Sequence, residues 1–432
     1  MAMVGVGGSI GTGLLLGSGA AIGIAGPSVI ISFVIAALIA WTVAMAMGEM
    51  ASLHPAAGSF GIYAELYLSP WAGFIVRTTY WVALALAIGA EMVAAATYMH
   101  LWLPSIQPVV WVAVFAVVML AINLRHVGDY GRFEYWFSMV KVVTIIAFIA
   151  IGAGLMLSHH VQPQYTVNGG FFPNGQWALI TAMLFAMYTF GGVEMVAITS
   201  GEASSGRDLR RAFWLTIGLL TLIYVGAIAV LVGVMPWSGA GVTESPFVTV
   251  FRQAGVPAAT HFMNFVVLSA ALSSANACLY SDSRLLFSLS RGGYAPRWLG
   301  KLNSSGAPTP ALLISAVGIV IALVMEKWAP QGAFVNMLTA AYFGLWLSWV
   351  ITLVAHIRFR KKLSPAEVTG LPMRSPLGIA GSIFGFVAMV FILASTWRYS
   401  KVTIIGGLLY TAVLGIMYPL MRRSAGDEPS SS

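Results

Sequence analysis

The chain has 432 residues, 59% of them hydrophobic and 8% charged, with a mean hydropathy of +0.87. A water-soluble globule of this length is excluded, and the chain reads as a polytopic membrane protein. Its apolar runs are long and continuous, as spanning helices of about 20 residues require and alternating barrel strands of about 10 do not, so an outer-membrane barrel is excluded as well. The formal net charge of +8 does not mark a nucleic-acid binder, because the basic residues are distributed by topology rather than gathered on one face.

Twelve transmembrane helices are expected, at roughly 3–25, 29–53, 73–102, 109–125, 135–157, 177–200, 212–235, 261–286, 309–326, 332–357, 378–396 and 402–421. The first opens on Met1-Ala2-Met3-Val4, which carries neither the basic region nor the cleavage signature of a signal peptide. A first span without a cytoplasmic anchor leads us to expect a natural start upstream of Met1. Span one is interrupted by Gly7-Gly8-Ser9-Ile10-Gly11-Thr12-Gly13, and span six by Phe190-Gly191-Gly192-Val193-Glu194. Unwound backbone survives in hydrocarbon only where protein buries it or a polar cavity wets it, so both breaks are expected to face a substrate. Gly7, Gly11, Gly13 and Gly17 also form small-xxx-small pairs suited to close helix packing, and packing and unwinding can both hold. Gly7-Gly8-Ser9-Ile10-Gly11 matches G-x-S-x-G, but no strand precedes it, so a nucleophile elbow is rejected, as is dinucleotide binding.

Ionisable residues inside spans are functional candidates, since an unpaired charge there costs several kcal/mol. Glu49, near a cytoplasmic helix end, is expected to pair with Arg77 or with an inner-gate partner. Glu91 lines the pathway or packs between helices. Ser273 and Asn276 join these two as pathway or gate candidates. Lys141, in span five, either gains and loses a proton in a coupling cycle or snorkels to the cytoplasmic surface. Glu194 either stabilises the unwound turn, carries a proton or makes purely structural hydrogen bonds. The lone Cys278 has no partner for an intramolecular disulfide, and the seven histidines show no metal-ligand spacing, with His159-His160 in an expected outer loop.

Loops on one side hold Arg125, Arg132, Arg207, Arg210, Arg211, Arg291, Arg297, Lys301, Arg358, Arg360, Lys361, Lys362 and Arg374, together with Arg422 and Arg423. The other side holds Arg252, Lys327, Arg398 and Lys401. The positive-inside rule then puts both termini in the cytoplasm, with residues 422–432 a polar, disordered cytoplasmic tail. The two breaks lie five helices apart, the spacing of an inverted five-plus-five repeat, and broken helices at matching positions of two halves point to a midplane transport site. Residues 1–421 thus read as one transmembrane domain, with repeat one at about 3–157, repeat two at about 177–357 and peripheral helices at about 378–421.

Several motifs jointly carry a resemblance. They are Gly7 to Leu14, Gly48-Glu49-Met50 with His54-Pro55 and Gly58-Ser59-Phe60, Glu134-Tyr135-Trp136-Phe137 leading to Lys141, Phe190 to Glu194 with Gly201-Glu202-Ala203, and Ser274-Ala275-Asn276 through Ser283-Arg284 to Ala295-Pro296. Over about residues 3–421 the chain resembles bacterial amino acid permeases of the amino acid–polyamine–organocation (APC) superfamily, in the branch of aromatic amino acid, lysine and 4-aminobutyrate permeases. The resemblance implies an all-α, LeuT-like fold of ten core helices in two inverted repeats plus two more, working by alternating access. It implies a substrate α-carboxylate on backbone N–H groups near Ser9, at Gly11, Thr12 and Gly13, and an α-amino group on carbonyls around Tyr188, Phe190 and Gly191 near Glu194. Tyr188 would stack on the substrate, and Lys141 would stand where sodium-coupled cousins bind sodium. The basic segment that the family carries before helix 1 does not precede Gly7 in residues 1–6, in keeping with the expected start upstream of Met1.

The leading expectation is therefore an importer of an amino acid at the cell inner membrane, coupled to proton symport, with no other cofactor, no enzymatic activity and no nucleic-acid partner. An amino acid exchanger is the alternative, and a non-transporting sensor a further one. The substrate side chain is expected to be neutral, whereas Glu91 or Glu194 facing the pocket would favour a cationic one.

Overall fold

The computed structural model describes residues 6, 9–54, 59–124, 130–159, 161–194 and 206–426. Met1 to Val4, Gly7, Gly8, Pro55, Gly58, Arg125, His160 and Gly201-Glu202-Ala203 lie outside the described residues. Among those described, the secondary structure is helical throughout. The first elements are α1 (Thr12–Leu15), α2 (Gly17–Ala25), α3 (Val29–Leu53), α4 (Ser59–Tyr67), α5 (Pro70–His100), α6 (Pro108–Leu124), α7 (Tyr130–Leu157) and α8 (Gln176–Thr189). They are followed by α9 (Gly206–Val234), α10 (Pro246–Gln253), α11 (Pro257–Arg291), α12 (Thr309–Ser315), α13 (Val317–Trp328), α14 (Ala333–Lys362), α15 (Pro365–Gly370), α16 (Gly378–Ser395) and α17 (Trp397–Gly426). A chain this apolar must satisfy its backbone groups internally, and helices do so within one segment.

Nine segments among the described residues are helical, long and apolar enough to cross a membrane, and α6 and α8 are shorter apolar helices. One of the nine, Gly17–Leu53, contains α2 and α3, joined by the turn Gly26–Ser28 where Gly26 has a φ of +61°. Start and stop signals are visible elsewhere. Ser69 caps α5 by accepting from the Ala72 N–H at 3.1 Å, with Pro70 behind it, and α14 ends on Arg360, Lys361 and Lys362, cations that suit a helix C-terminus.

Helix α5 is the axis of the molecule. Its apolar window is 78% buried, against 28% for those of α7 and α16 and 17% for that of α17. Its most extensive partners are α14 and α11, and one contiguous apolar core runs from Val6 to Ile392. Helix α17 extends to Gly426, into the segment expected as a tail.

Candidate functional site

The first break lies where the sequence places it. Gly11 is extended (φ −130°, ψ −160°), and only the single turn of α1 follows before a second irregularity at Leu16. Carbonyls freed by the unwinding find partners from other helices: Tyr224 Oη donates to Ser9 O at 2.7 Å and Ser245 Oγ to Leu15 O at 2.6 Å. The second break follows α8. Gly191 N–H donates back to Tyr188 O at 2.9 Å, and Gly192 takes a φ of +100° that glycine alone adopts easily. The two breaks touch, because a Cβ on Gly192 would stand 2.7 Å from Ser9 Oγ.

Between them lies a cavity of about 70 Å³ bounded by α5, α8, α11 and α14. Ser9, Gly11, Gly13, Tyr188, Gly191, Glu91 and Glu194 all line it. Thr12 is fully buried and contributes its backbone N–H, which donates to Glu91 Oε1 at 3.1 Å and Oε2 at 3.3 Å. Ser274 Oγ, from α11, donates to the same Oε1 at 3.0 Å. The approach is close enough that a Cβ on Gly11 would meet Glu91 Oε1 at 2.5 Å and Ser274 Oγ at 2.7 Å. Glu194 accepts from Tyr80 Oη at 2.7 Å and from Gly192 N–H at 3.0 Å, so its carboxylate ties the second break to α5.

Phe190 turns away from the cavity, packing edge-to-face on Tyr224 at 5.0 Å. Lys141 is 1% exposed, on the face of α7 that also buries Ser138, Val142, Ile145 and Phe148, and its charge acts on Glu91. That burial does not fit a lysine snorkelling to the surface. On α11 the residue lining the cavity is Ser274, with Cys278 one turn on, rather than Ser273. Asn276 points elsewhere and accepts from Asn123 Nδ2 at 2.7 Å. Tyr80 and Leu345 were not singled out from sequence, and Ser274 and Cys278 were named there without a role at the site; each is an ordinary residue in a long apolar run.

Glu49 corrects one expected pairing. Arg77 bonds Glu65 at 2.8 Å instead, from the short helix α4 that packs beside it. Glu49 is met by His356 Nε2 at 2.9 Å, by Arg360 at 2.7 Å (Nε) and 2.9 Å (Nη2), and by Ser375 N–H at 3.0 Å. Among the described residues no group of three His, Cys, Asp or Glu side chains is arranged to hold a metal ion.

The family model described as "Amino acid permease" matches residues 1–419. The chain is 36% identical over 431 residues to the aromatic amino acid transport protein AroP of Escherichia coli (strain K12), covering 98% of this chain and 94% of that one. It is 37% identical over 365 residues to AroP of Salmonella typhimurium (strain LT2), at 83% and 80% coverage. It is 33% identical over 428 residues to the uncharacterized amino acid permease YtnA of Bacillus subtilis (strain 168), at 97% and 92% coverage. With a family match over nearly its whole length and relatives above 30% identity end to end, the chain belongs to the amino acid permease family and is a membrane transporter of amino acids, not an enzyme.

Proposed function

We propose that the protein imports aromatic amino acids across the cell inner membrane by alternating access, driven by proton symport. The observation that carries this reading is the cavity between the two breaks, in a chain 36% identical over nearly its full length to an aromatic amino acid transport protein. The α-carboxylate is assigned to the donors around Gly11, Thr12 and Gly13, and the α-ammonium to the carbonyl side of Tyr188, Phe190 and Gly191. The side chain then lies toward Tyr80, Tyr188, Leu84 and Leu345, an apolar and aromatic wall.

Glu91 and Glu194 both reach the cavity, which taken alone would favour a cationic substrate. Each is engaged by donors of the protein itself, and Lys141 acts on Glu91, so neither presents a bare charge to a substrate side chain. Neutral aromatic substrates fit that arrangement better than lysine does.

The nine long apolar segments, with Gly17–Leu53 counted as two crossings and α6 and α8 added, support twelve crossings. These make one transmembrane unit over 1–421, arranged as two inverted five-helix repeats plus two peripheral helices, with both termini cytoplasmic. Lys141, buried beside the site, is assigned to the coupling machinery.

The test is uptake of radiolabelled phenylalanine, tyrosine and tryptophan into proteoliposomes under an imposed pH gradient, with lysine as competitor. Accumulation that collapses with the gradient supports the reading. Lysine uptake without phenylalanine uptake overturns the substrate, and uptake only against internal amino acid makes the protein an exchanger. In Lys141→Met, binding is expected to persist while gradient-driven accumulation falls to background; unaltered accumulation would remove Lys141 from coupling.

A further inference from the structure

The cavity is too small for its cargo. Ligand sites enclose roughly 300–1,000 Å³, and this one offers about 70 Å³. An amino acid enters only if a group now in the cavity withdraws. One group there already makes the bonds that a carboxylate ligand would make. The Glu91 carboxylate, 3% exposed, takes the Thr12 N–H and the Ser274 hydroxyl together, in contact with the glycine that lets it approach. The protein has thus placed a resident carboxylate in a donor set fitted to carboxylates.

We propose that Glu91 is an internal competitor of the substrate: in the empty transporter its carboxylate holds the donors of Thr12 and Ser274, and the substrate α-carboxylate takes them over while Glu91 binds a proton. This rests on the reading that the first break receives the substrate carboxylate. Two carboxylates crowded onto one donor set do not both stay ionised, and the arrival of one charge is balanced by a proton on the other. No covalent bond changes; one proton moves from solvent to a Glu91 carboxylate oxygen for each substrate bound. The other titratable groups facing Glu91 are Lys141 on α7, Tyr188 on α8, Cys278 on α11, Glu194 across the cavity and Tyr98 on α5 itself. Lys141 then serves as fixed positive charge, and the coupling proton travels on Glu91.

The experiment is calorimetric titration of phenylalanine into the full-length protein in detergent, at each pH in two buffers of different ionisation heat. In the wild type, binding is expected to take up about one proton and to weaken toward a limit of about tenfold per pH unit as pH rises. Glu91→Gln, checked for folding by thermal melting, is expected to bind with no proton uptake and a flat pH profile. Phenylalanine binding by the wild type without proton uptake overturns the inference and leaves the transport reading standing, and this result needs no variant. Undiminished proton uptake in Glu91→Gln overturns it as well. Absence of binding by any aromatic amino acid overturns both.

Discussion

Two buried glutamates of the same protein are held in opposite ways. Glu49, on α3, is fully buried and held by a guanidinium, with Arg360 against both oxygens and His356 and the Ser375 N–H on Oε2. His356 is itself fixed on its other nitrogen by Ser382, at 2.7 Å. Glu91, on α5, has one backbone N–H and one hydroxyl, with a cavity beside it. The first arrangement joins α3, α14 and the entry to α16 by contacts that nothing small can replace. The second uses two neutral donors that any carboxylate of suitable reach can claim. A clamp and a latch are distinguished here by the guanidinium bonded to Glu49 and by the cavity beside Glu91, not by burial.

The largest effect expected from this contrast is in Glu49→Ala. Removing one side of a buried ion pair leaves the other uncompensated, so the variant should lose about 3–5 kcal/mol. Equilibrium unfolding in mixed micelles measures it. Glu91→Ala should cost less, about 1–2 kcal/mol, because it strands two neutral donors where the adjoining cavity lets water reach them. A Glu91→Ala loss equal to or above that of Glu49→Ala would break the comparison and make Glu91 a second clamp.

The two glutamates were legible from sequence to different depths. Both breaks could be located, because glycine density inside an apolar span is a local signal, and so could Glu49, Glu91, Lys141 and Glu194, each set among apolar residues. Partners could not. Thr12 lies 79 residues from Glu91 and Ser274 lies 183 from it, and nothing local to any of them encodes the meeting. Arg77 was one expected partner for Glu49 near the cytoplasmic helix end, but Glu65 on the short helix α4 takes it. Ser273 and Ser274 differ by about 100° of rotation on α11. A helix whose apolar window is 67% buried has no clean polar face from which to choose between them. Asp282, two turns beyond Ser274 and fully buried, passed unremarked for the same reason. It sits among serines and leucines that read equally well as packing.

The smallest effect is expected from a pair with the chemistry of the Glu49 clamp and much less of its burial. Arg252 Nη2 bonds Glu244 Oε2 at 2.8 Å and Nε adds bonds of 3.1 and 3.2 Å, a geometry as close as that of Arg360 on Glu49. The Arg252 side chain, however, is 55% exposed. The Glu244 carboxylate raises the proton affinity of the guanidinium above its ordinary value. A folded-state pKa raised in this way adds stability that is fully in place at neutrality and fades as pH climbs through the arginine range. Water already solvates both partners and salt screens them, so Arg252→Ala should cost only about 0.2–1 kcal/mol, and less as ionic strength rises. The same unfolding assay at low and high salt checks it. A loss approaching that of Glu49→Ala would mean that hydrogen-bond geometry, rather than burial with a charged partner, sets the strength of the clamp.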